Sequence, residues 1–395
     1  MQAYLLPLEG GIALVGPQGD LLDYEPFASD RVYALERLLE GEEVREVAEL
    51  LERARGLRVE ELGVPTSGLV QLAQRRGFRA RTIEPAAWRQ LTALRPKLLQ
   101  QAGLAQGEGE ALELIRAFAL ERLERRLREF AAKPERHVIE AVRAVEELDK
   151  ASNILWARLR EWYGLHFPEL ELRVTDMELY ARVVQAIGRR ELIAPAALAR
   201  LGLGSQEAEA LARAARESKG AEVREEDLRE VAALAGLLLS MLALRRELSS
   251  YVQRNMERLA PNITQLVGAL VGAKLLAKVG SLERLASLPA STIQVLGAEK
   301  ALFRALRTGT RPPKHGILFQ HPLVHGAPKW QRGKIARLFA NLLAIAARID
   351  YFKGEAEEGL KAKLEEKLAE LRQKYAKPPL PAKRGEKGYK RRRRA

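Results

Sequence analysis

The sequence predicts a mainly α protein: a small N-terminal α+β domain, long central helices, and a helical, strongly basic C-terminal domain. Three observations predict it. Short apolar runs parted by glycine and proline clusters are confined to residues 1–85. From Gly107 to about Pro261 apolar residues recur at helical spacing almost without interruption. Positive charge gathers at one end, with 13 Lys/Arg against 3 Asp/Glu over residues 261–350 and 10 against 1 over residues 373–395. The first 260 residues are net acidic within a chain of formal charge +14, an asymmetry that points to a polyanion at one end and another kind of partner at the other.

Length and composition set further bounds. The 395 residues, 47% hydrophobic and 30% charged, suit a soluble globular or helical protein of two or three domains. With no cysteine there is no disulfide, thiolate metal site or cysteine nucleophile. Met1–Leu8 lacks the basic start of a secretory signal. The longest nearly uncharged apolar run, Val231–Leu244, is 14 residues and too short to span a bilayer. A cytoplasmic location without membrane contact is expected.

Tyr4–Leu8, Ile12–Val15 and Leu21–Tyr24 are apolar runs separated by Gly10-Gly11 and by Gly16 to Asp20, and predict a small antiparallel meander. Arg31–Leu39 and Glu43–Ala54 have helical spacing, the stretch Gly63 to Gly68 punctuates before a further helix, and Arg79–Ile83 predicts one more strand. The domain is expected to close near residue 90, with a connector to Gln106.

Two long helices organise the middle. Val138, Val142, Val145, Leu148, Leu155, Leu159 and Trp162 form one stripe, and Leu228, Val231, Ala235, Leu238 and Leu242 another. A helix from Arg224 to Leu259 would run roughly 54 Å at about 1.5 Å per residue. Such a helix lies against another, either in an intramolecular antiparallel hairpin that consumes the whole stripe or in a pair of chains. A second stripe of Met241, Leu244, Leu248 and Tyr251 favours an additional surface and self-association. Arg189–Gly204, with Pro195, is a connector carrying short helices.

In the basic domain, Gly297–Arg304 predicts a helix that sets Lys300, Arg304 and Arg307 on one face and turns Leu302, Phe303 and Leu306 inward. Gly297 stands at the expected start, leaving first-turn N–H groups open to a phosphate. Gln331–Asp350 predicts a second helix, its buried stripe Ile335, Leu338, Leu342, Ile345 and Ile349 and its polar face Lys334, Arg337, Asn341 and Arg348. Phe303 and Phe319 are expected in the core, whereas Trp330 suits either core or base stacking. Leu360, Leu364, Leu368 and Leu371 repeat on a further charged helix, Gly354–Tyr375. Past Lys377 the basic tail lacks apolar content and is expected to stay disordered until it meets a polyanion.

Catalysis has little to work with. His315, His321 and His325 lie close together, but Pro322 and Gly326 disfavour the turn or helix spacing of a zinc site and a fourth ligand is wanting. Gly107 and Gly109 are followed by Leu112 where a dinucleotide fingerprint needs a third glycine, and no nucleophile elbow occurs. No cofactor, no metal and no enzymatic activity are expected.

Four of these segments, GAKLLAKVGSL (272–282), GAEKALFR (297–304), PPKHGILFQHP (312–322) and WQRGKIARLFANLLAIAARIDYF (330–352), together resemble the Nop domain, most closely in its archaeal box C/D form. His137–Lys150 and Leu159–Glu169 are similar to the same family's central helical segment, so the resemblance spans roughly residues 110–352. It implies a non-catalytic scaffold of a box C/D ribonucleoprotein. Residues 1–106 would hold fibrillarin, the methyltransferase that itself uses S-adenosylmethionine, and residues 107–261 would pair two copies as a coiled coil. Residues 262–376 would grip kink-turn guide RNA jointly with a small ribosomal-protein-like kink-turn binder, with residues 377–395 as a basic tail. In that picture the helix from Gly297 wedges between RNA and the small protein, Lys300, Arg304 and Arg307 meet phosphates, Lys314, His315 and Gln320 lie on the loop side, and Arg332, Lys334 and Arg337 add backbone contacts. A splicing-type particle is the alternative within the family, and a basic helical adaptor for DNA the alternative outside it.

Overall fold

The computed structural model describes residues 1–28 and 30–378; the expected basic tail lies almost wholly outside the described residues. The chain divides into two compact units, Met1–Ala132 and Lys133–Ala395.

The first unit is built on a five-stranded sheet: β1 (Gln2–Pro7), β2 (Gly11–Val15), β3 (Leu21–Pro26), β4 (Glu61–Val64) and β5 (Arg79–Thr82). Its order is β3-β2-β1-β4-β5. The three antiparallel strands of the predicted meander are present, with Leu5 opposite Leu14. The sequence did not foretell β4, which pairs parallel to β1 and to β5 and whose last two residues, Gly63 and Val64, open the stretch taken for punctuation. Gly63 belongs to that strand because a Cβ there would come within 2.5 Å of the Tyr4 ring.

Both faces of the sheet are covered, which is why β1 and β2 lack a clean apolar–polar alternation. Helices α1 (Arg31–Glu40), α2 (Arg45–Gly56) and α3 (Ser67–Arg75) cover the face carrying Leu5, Ile12 and Leu14. On the other face Leu6, Leu8, Ala13 and Val15 meet Leu91, Leu98 and Leu99 of α4 (Pro85–Ala93) and α5 (Arg95–Gln101), and Ala111 of α6 (Glu108–Ala132). The stretch expected to be a connector is thus a folded layer of the core.

The second unit has two cores. Helices α7 (Pro134–Tyr163) and α12 (Glu225–Leu259) run antiparallel: Leu159 and Tyr163 share a cluster with Leu228 and Val231, while Val138 and Val142 share one with Val252 and Met256. Trp162 is exposed, and its neighbour Tyr163 closes the α7 stripe instead. Around the hairpin tip stand α8 (Glu169–Arg173), α9 (Met177–Ala186), α10 (Pro195–Arg200) and α11 (Ser205–Arg216). Buried His166 ties this end together, one ring nitrogen accepting from the Arg190 N–H at 3.1 Å and the other bonding the Ala221 carbonyl at 3.1 Å. The hairpin leaves part of the apolar surface unused: Leu237 and Leu244 of α12 and Ile154 of α7 are exposed.

The other core gathers α13 (Pro261–Val267), α14 (Ala269–Val279), α15 (Leu282–Ser287), α16 (Ala290–Val295), α18 (Pro322–His325), α19 (Lys329–Phe352) and α20 (Gly359–Lys374), while α17 (Glu299–Thr308) lies outside that cluster. Its centre is α19, whose buried face is broader than predicted and runs through Ile335, Phe339, Ala340, Leu343, Ala346 and Ala347. Ile345 points out of that face and is 42% exposed, a correction to the predicted stripe. Buried Asp350 accepts the Asn262 N–H at 3.0 Å, the Asn262 side-chain N–H at 2.7 Å and the Ile263 N–H at 2.9 Å, so it caps α13 and anchors it to α19. Among the described residues no helix is long and apolar enough to cross a membrane.

Candidate nucleic-acid interface

Helix α17 carries three of the predicted cations. Its entry is fixed by Gly297, which sits at φ +86° and packs so tightly on Ile317 that a Cβ would lie 2.7 Å from that side chain. The helix starts at Glu299. The Glu299 carboxylate accepts the Gly297 N–H at 2.8 Å and pairs with Lys278 at 3.1 Å. Burial alone would raise the Glu299 carboxyl, but the bonds from Gly297, from its own N–H and from Lys278 hold it below the usual range. The phosphate seat expected at Gly297 is therefore already taken by an internal anion, and this is a correction.

Lys300, Arg304 and Arg307 are exposed, and none forms an ion pair among the described residues. The apolar side of α17 differs from expectation. Only Ala305 is buried; Phe303 is 67% exposed, Leu306 is 71% exposed, and Leu302 is half-buried. The helix was expected to pack inward, yet it offers solvent a cationic surface and an apolar one together.

The loop between α17 and α18 is pinned to the end of α16. Gly316 donates to the Gln294 carbonyl at 3.1 Å, Ile317 to the Leu296 carbonyl at 2.7 Å, and the Gln294 amide to the Lys314 carbonyl at 2.7 Å. Lys314 is exposed. His315 stacks on Phe319 with centroids 4.6 Å apart and planes 13° apart, and His325 meets the same ring edgewise at 5.0 Å. Burial first, then the charges of Arg332 and Lys314, push the His315 pKa below its ordinary value. Phe319 is thus half-buried in a small aromatic stack rather than deep in the core.

Arg332 is committed inward. It donates to the Ala327 and His325 carbonyls, both at 2.9 Å, and lies over the Phe319 ring at 5.3 Å. Gln320 accepts from Lys274 at 2.7 Å, and Lys274 also pairs with Glu146 at 3.3 Å. These two predicted residues hold the loop and leave less for a ligand.

Lys334 and Arg337 are exposed on α19, with Asn341 and Arg348 on the same side of the helix. Lys334 lies 3.4 Å above the ring of Tyr375. Together with Lys314 they line a groove of about 620 Å³ that also contains Trp330, Tyr375 and Arg311. Sequence reasoning missed Arg311 and Tyr375. Arg311 borders the Pro312-Pro313 pair that stiffens the loop, a usable signal; Tyr375 belongs only through the return of α20 onto α19, which no local pattern shows.

The Nop family model, described as "snoRNA binding domain, fibrillarin", matches residues 144–370, more than half of the chain. The chain belongs to the Nop family. A NOP5 family protein of Methanocaldococcus jannaschii is 42% identical over 282 residues, covering 71% of this chain and 68% of that relative. Nucleolar protein 58 of Candida albicans is 36% identical over 369 residues, 90% of this chain and 70% of its own, and its Saccharomyces cerevisiae counterpart is 36% identical over 344 residues, 85% and 66% respectively. Among solved structures, a fibrillarin/Nop5p complex is 32% identical, covers 67% of this chain and 80% of that chain, and superposes with a TM-score of 0.35. The Nop match takes in α17 and α19, and ends before Tyr375 of the groove.

Proposed function

We propose that this chain is the non-catalytic scaffold of a box C/D ribonucleoprotein. It works in the cytoplasm, binds kink-turn guide RNA jointly with a small ribosomal-protein-like kink-turn binder, and recruits fibrillarin for ribose 2′-O-methylation. S-adenosylmethionine is then fibrillarin's cofactor. The observation that carries this reading is the double character of α17. Lys300, Arg304 and Arg307 supply unneutralised charge for phosphates, while exposed Phe303 and Leu306 supply an apolar contact for a protein, all on one ten-residue helix within the Nop match. Phosphate contacts account for the cations but not for an exposed leucine next to the phenylalanine; RNA held together with a small protein accounts for both. The first unit, with its own two-faced core, is the part left to hold fibrillarin, and the apolar remainder on α7 and α12 supports pairing of two copies.

The test is a joint substitution, Lys300→Glu with Arg304→Glu. Both side chains are exposed and form no ion pair among the described residues, so the fold stays intact. Gel shift at moderate salt is expected to show loss of guide-RNA assembly, while co-purification with fibrillarin persists. Unchanged RNA retention would contradict the assignment of this face.

A further inference from the structure

The groove beside α19 asks for a ligand that the cations of α17 do not explain. Its lining carries Arg311, Lys314, Lys334 and Arg337, and among the described residues no carboxylate lines it. Its floor is predominantly apolar and includes Trp330 and Tyr375. A phosphodiester track needs the cations but has no use for an aromatic floor. An apolar peptide would use the floor but not four positive charges. The chemistry that matches both is a nucleotide, with a flat base and an attached phosphate. The volume, about 620 Å³, lies in the roughly 300–1,000 Å³ range of pockets for molecules of that size.

The groove is also set before any ligand arrives. The Trp330 indole N–H donates to the Tyr375 carbonyl at 3.0 Å and the Gln331 amide to the same oxygen at 2.9 Å, which latches the end of α20 to the first turn of α19. Lys334 lies over the Tyr375 ring, and Tyr375 is held below the usual phenol range first by its hydrogen bond with that ammonium. Gly333 of α19 lets the loop close in, because a Cβ there would stand 3.0 Å from Lys314 Cβ. Aromatic and cationic groups fixed in advance lower the ordering cost of binding.

In a paired A-form stem the bases are stacked and out of reach, so only an unpaired nucleotide can present its face to such a floor. We propose that this groove seats one extrahelical nucleotide of the bound guide RNA, its base against Trp330 and Tyr375 and its flanking phosphates on Arg311, Lys314, Lys334 and Arg337. The proposal rests on the scaffold function above and adds to it a site that reads strand conformation rather than charge alone.

The experiment uses the full chain with its small kink-turn partner and guide RNAs carrying 4-thiouridine at one position each. Photocrosslinking and peptide mass spectrometry are expected to place a single unpaired position on the peptide containing Trp330 or Tyr375. Tyr375→Ala should remove that crosslink and weaken RNA binding about tenfold, the size of one lost base–aromatic stack. An abasic site at the same position should weaken wild-type binding by a similar factor and leave the variant unaffected. Tyr375→Phe, which keeps the aromatic plane and leaves the backbone-carbonyl latch from Trp330 and Gln331 intact, should retain the crosslink and control for folding. Normal RNA binding with no crosslink in the groove, or crosslinks to paired nucleotides only, would overturn the nucleotide seat and leave the scaffold function standing. Failure of the wild-type chain and its partner to bind guide RNA at all would overturn both.

Discussion

Glu299 shows how a single side chain can close a site that its sequence position leaves open. A glycine before a basic helix predicts free N–H groups for phosphate, and nothing in the string Gly297-Ala-Glu-Lys says that the glutamate will fold back onto the glycine N–H. Since its folded pKa is depressed, Glu299 contributes stability above the ordinary carboxylate range, and that contribution disappears as pH falls through the folded value. The group is mostly solvated, so its share is small, below about 1 kcal/mol. Glu299→Gln is therefore expected to melt slightly below wild type at pH 7 and together with it near pH 3; a gap that widens on acidification would contradict this. Asp350 carries more, because it is buried and takes three donors from Asn262 and Ile263. Asp350→Ala should cost about 3 kcal/mol in denaturant unfolding by leaving those donors unpaired. The exposed cations were legible one by one from helical spacing. The inward commitment of Arg332 was not, since it depends on carbonyls brought round by the α18 turn.

At the scale of elements, α17 is held by its entry rather than by a packed face. Gly297 combines a left-handed φ with close contact to Ile317, so Gly297→Ala should destabilise the protein by about 1–3 kcal/mol and shift the helix that carries Lys300 and Arg304. Phe303→Ser with Leu306→Ser should behave in the opposite way. Unfolding should move by less than about 0.5 kcal/mol, because both side chains already face solvent, while capture of the small kink-turn binder is lost. A large loss of stability would mean that they pack after all. Periodicity found the last long central helix nearly to the residue, with about Arg224 to Leu259 predicted and Glu225–Leu259 observed. It failed where its premise fails. A helix with amphipathic spacing need not bury its apolar side if a partner is to cover it, and α17 is that case. Strand β4 was hidden for another reason: Leu62, Gly63 and Val64 are too few to show alternation, and their pairing with β1 is a long-range contact.

For the whole molecule, charge was the most legible property and association the least. The division into an acid-leaning majority and a basic C-terminal third is plain in the sequence, and Lys300, Arg304 and Arg307 of α17 and Lys334, Arg337 and Arg348 of α19 are exposed. Whether the α12 stripe serves a hairpin or a second chain was undecidable from spacing. The structure shows the hairpin and leaves Leu237 and Leu244 uncovered, seven residues apart on one helix. Leu237→Glu with Leu244→Glu is expected to convert a dimer to a monomer in sedimentation velocity with helix content retained; a wild-type chain that sediments as a monomer would contradict pairing through this face. The central claim is that the basic third recognises folded RNA rather than polyanions at large. It is tested most directly by competition at physiological salt, with labelled kink-turn guide RNA bound to the chain and its small partner and unlabelled duplex DNA of equal length added. The RNA is expected to survive a roughly hundredfold excess of DNA, because non-specific phosphate binding is far weaker at that salt. Displacement at equal concentrations would show a general cationic surface and contradict the account.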